Sequence, residues 1–102
     1  MSALTLTGTA AVRWDDVPAP VMSAPDQAIV RPIAVATCDL DVLVLQGAYP
    51  LPGPYPFGHE GVAVVVEVGE DVRTVGVGDR VVVHFQISCG ACDTCRRGRT
   101  GK

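Results

Sequence analysis

The sequence predicts a mainly β, barrel-like domain with one short helix and an appended cysteine-rich metal lobe. Three observations lead there. Valine-rich runs at 61–68 and 80–85 carry the strongest strand signals. Eleven glycines and eight prolines punctuate the 102 residues, which favours many turns over long helices. Three cysteines share the spacing C-x2-C-x2-C in a segment without apolar periodicity, and such a segment needs a staple to hold its shape.

A first strand is expected over residues 8–14 (GTAAVRW). Pro18, Pro20 and Pro25 then make a connector. Residues 27–36 (QAIVRPIAVA) read as a strand, and Pro32 inside it demands an edge position or a bulge. Residues 39–46 (DLDVLVLQ) predict the helix, begun at Asp39 and ended by Gly47. The following AYPLPGPYPFG holds four prolines, which leaves no room for regular backbone pairing. In 61–68 (GVAVVVEV) the alternation places Val62, Val64, Val66 and Val68 on one face. GEDVRTVGVGD folds the chain back, and RVVVHF (80–85) is a further strand.

Length and composition narrow the class. The chain suffices for one domain and one core. Hydrophobic residues make up 48% and charged residues 19%, which argues against disorder. The net charge of −3 speaks weakly against nucleic acid. Arg96, Arg97, Arg99 and Lys102 gather beside the cysteines, where they balance the charge of metal-bound thiolates; no aromatic residue in 86–102 interleaves with them, as single-strand recognition would need. The start MSALTLTGTA lacks the basic and apolar regions of a signal peptide, and no segment reaches the roughly 20 apolar residues of a membrane span. A cytoplasmic location without membrane contact is the default expectation. There, four cysteines serve more often as ligands or free thiols than as disulfides.

Cys89, Cys92 and Cys95 are spaced to converge on one metal. Tetrahedral zinc takes four ligands, of which three are visible, and Gly90 and Gly98 permit the wrapping turns. The competing reading is a redox or incidental thiol cluster; a C-x-x-C redox pair belongs to a βαβ unit, which nothing here predicts. Cys38, His59 and Glu60 form a second constellation. A lone cysteine is usually a small buried hydrophobe, and a lone histidine usually structural. Together with a carboxylate they are suitable donors for a zinc with an open position. Asp41, three residues after Cys38, is placed to receive the second ring N–H of a metal-bound histidine.

The string FGHEGVAVVVEVGEDVRTVGVGDRVVV (57–83), followed by SCGACDTCRRGR (88–99), closely resembles the zinc-containing alcohol dehydrogenases of the medium-chain dehydrogenase/reductase superfamily. G-H-E-G, V-G-D-R-V and S-C-G-x-C-x-x-C occur in that family's order over nearly the whole chain. The resemblance implies a GroES-like distorted β-barrel, followed in the complete enzyme by a Rossmann domain that binds NAD or NADP. It implies an oxidoreductase that interconverts alcohols and carbonyls, with a small alcohol or carbonyl substrate. Cys38 and His59 would be catalytic-zinc ligands, with Glu60 beside that zinc as an alternate ligand or supporting group. Asp41 would hydrogen-bond His59, and Cys89, Cys92 and Cys95 would bind the structural zinc.

Residues 1–102 are accordingly expected to be a truncated catalytic domain. Its 86–102 lobe is expected to be an incomplete structural-zinc lobe without the fourth cysteine, and the Rossmann domain is expected to be missing from this chain. No G-x-G-x-x-G occurs; Gly76 and Gly78 form only a G-x-G in a turn. The chain alone is expected to be inactive. The alternative is a stand-alone zinc-binding or protein-interaction module without catalysis. A homo-oligomer stays open. Leu40 departs from the family pattern, which puts Ser or Thr at that position to begin a proton relay. Leucine cannot relay a proton, so another group or water does it, or the activity differs. The hydrophobic loop of Tyr49, Leu51, Tyr55 and Phe57 either lines the substrate side or simply packs the loop down.

Overall fold

The computed structural model describes residues 1–8, 10–48 and 53–100. Strand β1 spans Ser2–Gly8 and β2 spans Ala11–Asp16. They pair antiparallel, with Leu4 opposite Trp14 and Leu6 opposite Val12. The expected first strand at 8–14 therefore straddles a turn. Ala10, at φ 55°, forms part of that turn, and no Gly-Asn or Asn-Gly signal marked it. Strand β3 is Ala28–Val35 and helix α1 is Asp39–Leu45. Gly47, at φ 75°, follows the helix in the left-handed conformation that glycine adopts without a Cβ clash.

Strand β4, Tyr55–Pro56, pairs with β1 through Thr5 and Leu6. The proline-rich segment thus keeps a short stretch of regular pairing against expectation. Two residues at a sheet edge suffice, because an edge strand can turn its missing N–H outward. Strand β5 is Gly61–Val68, as the sequence predicts. Strand β6 is Arg80–Val83, which leaves His84 and Phe85 beyond its end. A second helix that the sequence did not announce, α2, spans Asp93–Arg96.

The strands form two three-stranded sheets, ordered β2-β1-β4 and β3-β5-β6. The fold is strand-dominated and GroES-like, and its strands close into no barrel among the described residues. Pro32 meets both conditions set for it. Strand β3 is an edge strand, and its register with β5 shifts between Pro32 and Ala34.

The four valines that alternation groups on one face of β5 are not its most buried residues. Ala63 and Val65 are buried, while Val66 is 41% exposed. Alternation fixes only that two faces exist. A strand with valines on both faces gives no choice between them, and packing makes it. Leu6 and Val44 complete the buried apolar set among the described residues. No helix of the described residues is long and apolar enough to cross a membrane.

Candidate metal centres

Strand register brings the first site together. Val35 pairs with Gly61, and Gly61 with Val83. The Ala36 N–H continues the ladder to the Glu60 carbonyl at 3.2 Å. One end of the sheet therefore gathers the segment after β3, the residues before β5 and the residues after β6. Cys38 stands on the first, His59 and Glu60 on the second, and His84 and Phe85 on the third.

Cys38 is also the N-cap of α1. Its backbone N–H donates to Asp41 Oδ2 at 2.9 Å, closing a capping box. The cap holds Cys38 in extended backbone, φ −138° and ψ 179°, facing His59. Cys38 Sγ and His59 Nε2 lie 3.3 Å apart. A sulfur and a nitrogen on one tetrahedral zinc lie about 3.5 Å apart, so the pair fits that ion. On the other side of the ring, His59 Nδ1 is 3.2 Å from Asp41 Oδ1. Asp41 is 5% exposed and has both oxygens engaged. An Nδ1–H held by a carboxylate leaves the Nε2 lone pair free for a metal. The Glu60 carboxylate, Cys38 sulfur and His59 nitrogen lie within 4.8 Å of one another.

Phe85 packs edge-on against His59, with ring centroids 5.9 Å apart and planes at 86°. Sequence reasoning treats His84 and Phe85 only as strand residues. The signal that places them is the register of β6 with Gly61, which no single sequence reveals. A cavity of about 430 Å³ opens beside His59 and Glu60, walled by Val35, Ala63, Val83 and Phe85 among others. A smaller one, about 130 Å³, lies between Leu40, Val44, Phe57 and Phe85. Phe57 lines both. Tyr49, Leu51 and the Tyr55 side chain fall outside the described residues.

In the second site the chain wraps on itself. Gly90 and Gly98 take φ 73° and 77°, the turns that the spacing required. Cys92 caps α2 and its sulfur accepts the Cys95 N–H at 3.4 Å. Cys89 Sγ accepts N–H groups from Ala91 at 3.4 Å and Cys92 at 3.3 Å. Those backbone donors favour the thiolate and lower the Cys89 pKa from 9.0 to about 7. Cys95 is raised instead: the Gly90 N–H pulls it down, but the Cys92 and Cys89 thiols and partial burial outweigh that pull. Cys89 Sγ and Cys95 Sγ are 4.0 Å apart. Two sulfurs on a tetrahedral zinc lie about 3.8 Å apart, so this cluster also fits the ion. Of the adjacent arginines, Arg97 pairs with Asp93 at 3.1 Å on the exposed face of α2. Lys102 lies outside the described residues.

Fold and sites together define a strand-rich domain built around two thiol-bearing clusters of metal-binding geometry. The family description "Alcohol dehydrogenase GroES-like domain" matches residues 24–102. A probable zinc-binding alcohol dehydrogenase of Mycobacterium tuberculosis is 40% identical over 95 residues, which cover 93% of this chain and 25% of that protein. Geraniol dehydrogenase of Castellaniella defragrans is 45% identical over 73 residues, covering 72% and 19%. The solved alcohol dehydrogenase of Thermus sp. ATN1 superposes with a TM-score of 0.87 at 37% identity, covering 98% of this chain and 29% of that one. The chain belongs to the zinc-type alcohol dehydrogenases of the medium-chain dehydrogenase/reductase superfamily and corresponds to their N-terminal GroES-like domain. It spans about a quarter of the length of the relatives it matches.

Proposed function

We propose that the chain is the zinc-binding part of an NAD(P)-dependent alcohol dehydrogenase acting on small alcohols or carbonyls. Cys38, His59 and Glu60 hold its catalytic zinc, and Cys89, Cys92 and Cys95 its structural zinc. The observation that carries the reading is the aligned series Cys38 Sγ, His59 Nε2, His59 Nδ1 and Asp41 Oδ1, with steps of 3.3 Å and 3.2 Å on either side of the ring. When bound, the zinc supplies Lewis acidity toward an alcohol or carbonyl oxygen, and the nicotinamide supplies the hydride chemistry.

The chain's own residues prepare the site. Asp41 selects the His59 tautomer and fixes its ring plane, helped by Phe85. Cys38 contributes the anionic donor from the rigid start of α1. Glu60 adds a carboxylate beside the Cys38 and His59 donor atoms. The adjoining cavities present mainly apolar walls to the reacting group. Leu40 presents an isobutyl group to the smaller cavity, so proton exit there falls to water or to another side chain. NAD(P) binds outside residues 1–102, where no dinucleotide fingerprint occurs. The chain alone is therefore inactive in this reading.

Zinc stoichiometry by elemental analysis tests it. About two zincs per chain are expected, with one lost in Cys38→Ala and the other in Cys92→Ala. A chain that takes up no zinc from a buffered excess would overturn the proposal.

A further inference from the structure

We propose, resting on Cys38, His59 and Glu60 as zinc ligands, that His84 is a positioning residue for Glu60. Its ring N–H donates to the Glu60 carboxylate and steadies that carboxylate beside the other two donors.

Register sets the two residues side by side. Gly61 pairs with Val83 at the end of the β5–β6 ladder. Beyond the ladder the His59 and Phe85 rings still meet, with centroids 5.9 Å apart. Glu60 and His84 lie between these two contacts. Residues directly opposite in an antiparallel pair have Cβ atoms about 4.5–5.5 Å apart, a gap that an imidazole and a carboxylate can bridge. From the other side, the Ala36 N–H donates to the Glu60 carbonyl at 3.2 Å and fixes the Glu60 backbone.

The shared cavity leaves Glu60 few other partners. Both residues line the space of about 430 Å³ beside His59. Apart from these three, its walls are apolar side chains and glycines. Both ring nitrogens of His59 are engaged, Nδ1 with Asp41 and Nε2 with Cys38. His84 is therefore the one further side-chain donor on that lining. Neither His84 nor Glu60 has a hydrogen bond or ion pair among the described residues, so nothing described there competes with their contact. A metal-bound carboxylate is itself hydrogen-bonded, and such outer partners orient the ligand. A neutral imidazole carries one N–H, so the contact requires no change of charge.

The test uses cobalt(II) in place of zinc, on the 102-residue chain carrying Cys92→Ala to leave the Cys38–His59 site alone. Adding His84→Ala should weaken cobalt binding about 10-fold and shift its visible absorption, because the carboxylate donor is less firmly held. His84→Gln keeps an N–H donor and should recover most of the affinity. With Glu60→Ala also present, His84→Ala should cost less than about twofold, since the group it acts through is gone. Equal affinity with and without His84 would overturn the inference. The same loss whether or not Glu60 is present would overturn it too, by making His84 a support of the sheet alone. A chain that takes up no cobalt even with His84 and Glu60 intact would instead overturn the zinc reading beneath it.

Discussion

Asp41 is bound to His59 and to the start of α1 at once: Oδ1 lies 3.2 Å from His59 Nδ1 while Oδ2 accepts the Cys38 N–H at 2.9 Å. One buried carboxylate thereby ties the orientation of one donor to the backbone position of the other. Asp41→Asn keeps the shape but puts an NH2 where one of two N–H donors must be received. Zinc affinity at the Cys38–His59 site should fall about 10- to 100-fold. Asp41→Ala should in addition cost about 1 kcal/mol of stability through loss of the cap. Competitive zinc titration and urea melts separate the two effects. Equal zinc affinity in wild type and both variants would show that Asp41 serves the helix alone.

The two faces of β5 make a sharp comparison. Val65 is 1% exposed and Val66 is 41% exposed, although both are valines in one strand. Val65→Ala should cost about 2 kcal/mol, from lost transfer energy and the cavity left behind. Val66→Ala should stay within about 0.5 kcal/mol. Denaturant midpoints at constant m-value decide this, and a larger loss at Val66 than at Val65 would overturn it.

Gly69 is required by space rather than by backbone conformation. A Cβ there would lie 2.0 Å from the Pro25 carbonyl oxygen, which is backbone and cannot swing aside. Gly69 N–H also donates to the Gln27 carbonyl at 2.8 Å, fixing the two segments together. Gly69→Ala should destabilise by about 1–3 kcal/mol. At Gly8 a Cβ would meet nothing within 4 Å among the described residues. Gly8→Ala is the control, expected within about 0.5 kcal/mol of wild type by thermal unfolding.

Legibility in the sequence followed the type of signal. The β5 boundaries were read correctly because a valine run is bracketed by glycines at 61 and 69. Pro32 announced an edge or a bulge because its missing N–H leaves few other places in a sheet. The β1–β2 hairpin was missed because Thr9-Ala10 carries no turn chemistry. Both candidate metal-binding sets were visible as residue types and spacings, and the fold brings the donor atoms of each set within 4.8 Å of one another. The place of Phe85 beside His59 was not visible, since it depends on which residues face each other across β5 and β6.

The thiols of the lobe should react in a set order. Cys89 is lowered to about 7 by the Ala91 and Cys92 N–H groups, whereas Cys95 is raised above its ordinary 9.0. The thiolate is the nucleophile. In metal-free chain near neutral pH, iodoacetamide should label Cys89 well before Cys95. Lowering the pH through about 7 protonates Cys89 and should slow its labelling. Peptide-resolved labelling rates across pH measure this. A Cys89 rate that rises only near pH 9, like an ordinary thiol, would remove the role assigned to those N–H groups.

The lobe and the sheet should answer differently to metal removal. Strand β5 holds hydrogen bonds to β3 on one side and β6 on the other, and Ala63 and Val65 are buried beneath it. Residues 86–100 belong to neither sheet. Ile87 is 99% exposed, α2 buries nothing, and the N–H groups of Ala91, Cys92 and Cys95 end on sulfur. Sulfur is a weak acceptor as a neutral thiol, and a metal keeps it deprotonated. Chelation should therefore strip amide protection from 86–100 while β5 exchanges at its former rate, because local opening follows local support. Hydrogen exchange of the zinc-loaded and chelated chain, compared peptide by peptide, makes the measurement. Strong protection of the lobe in chelator would mean that its turns hold themselves, and the metal would then be a guest in a preformed cradle.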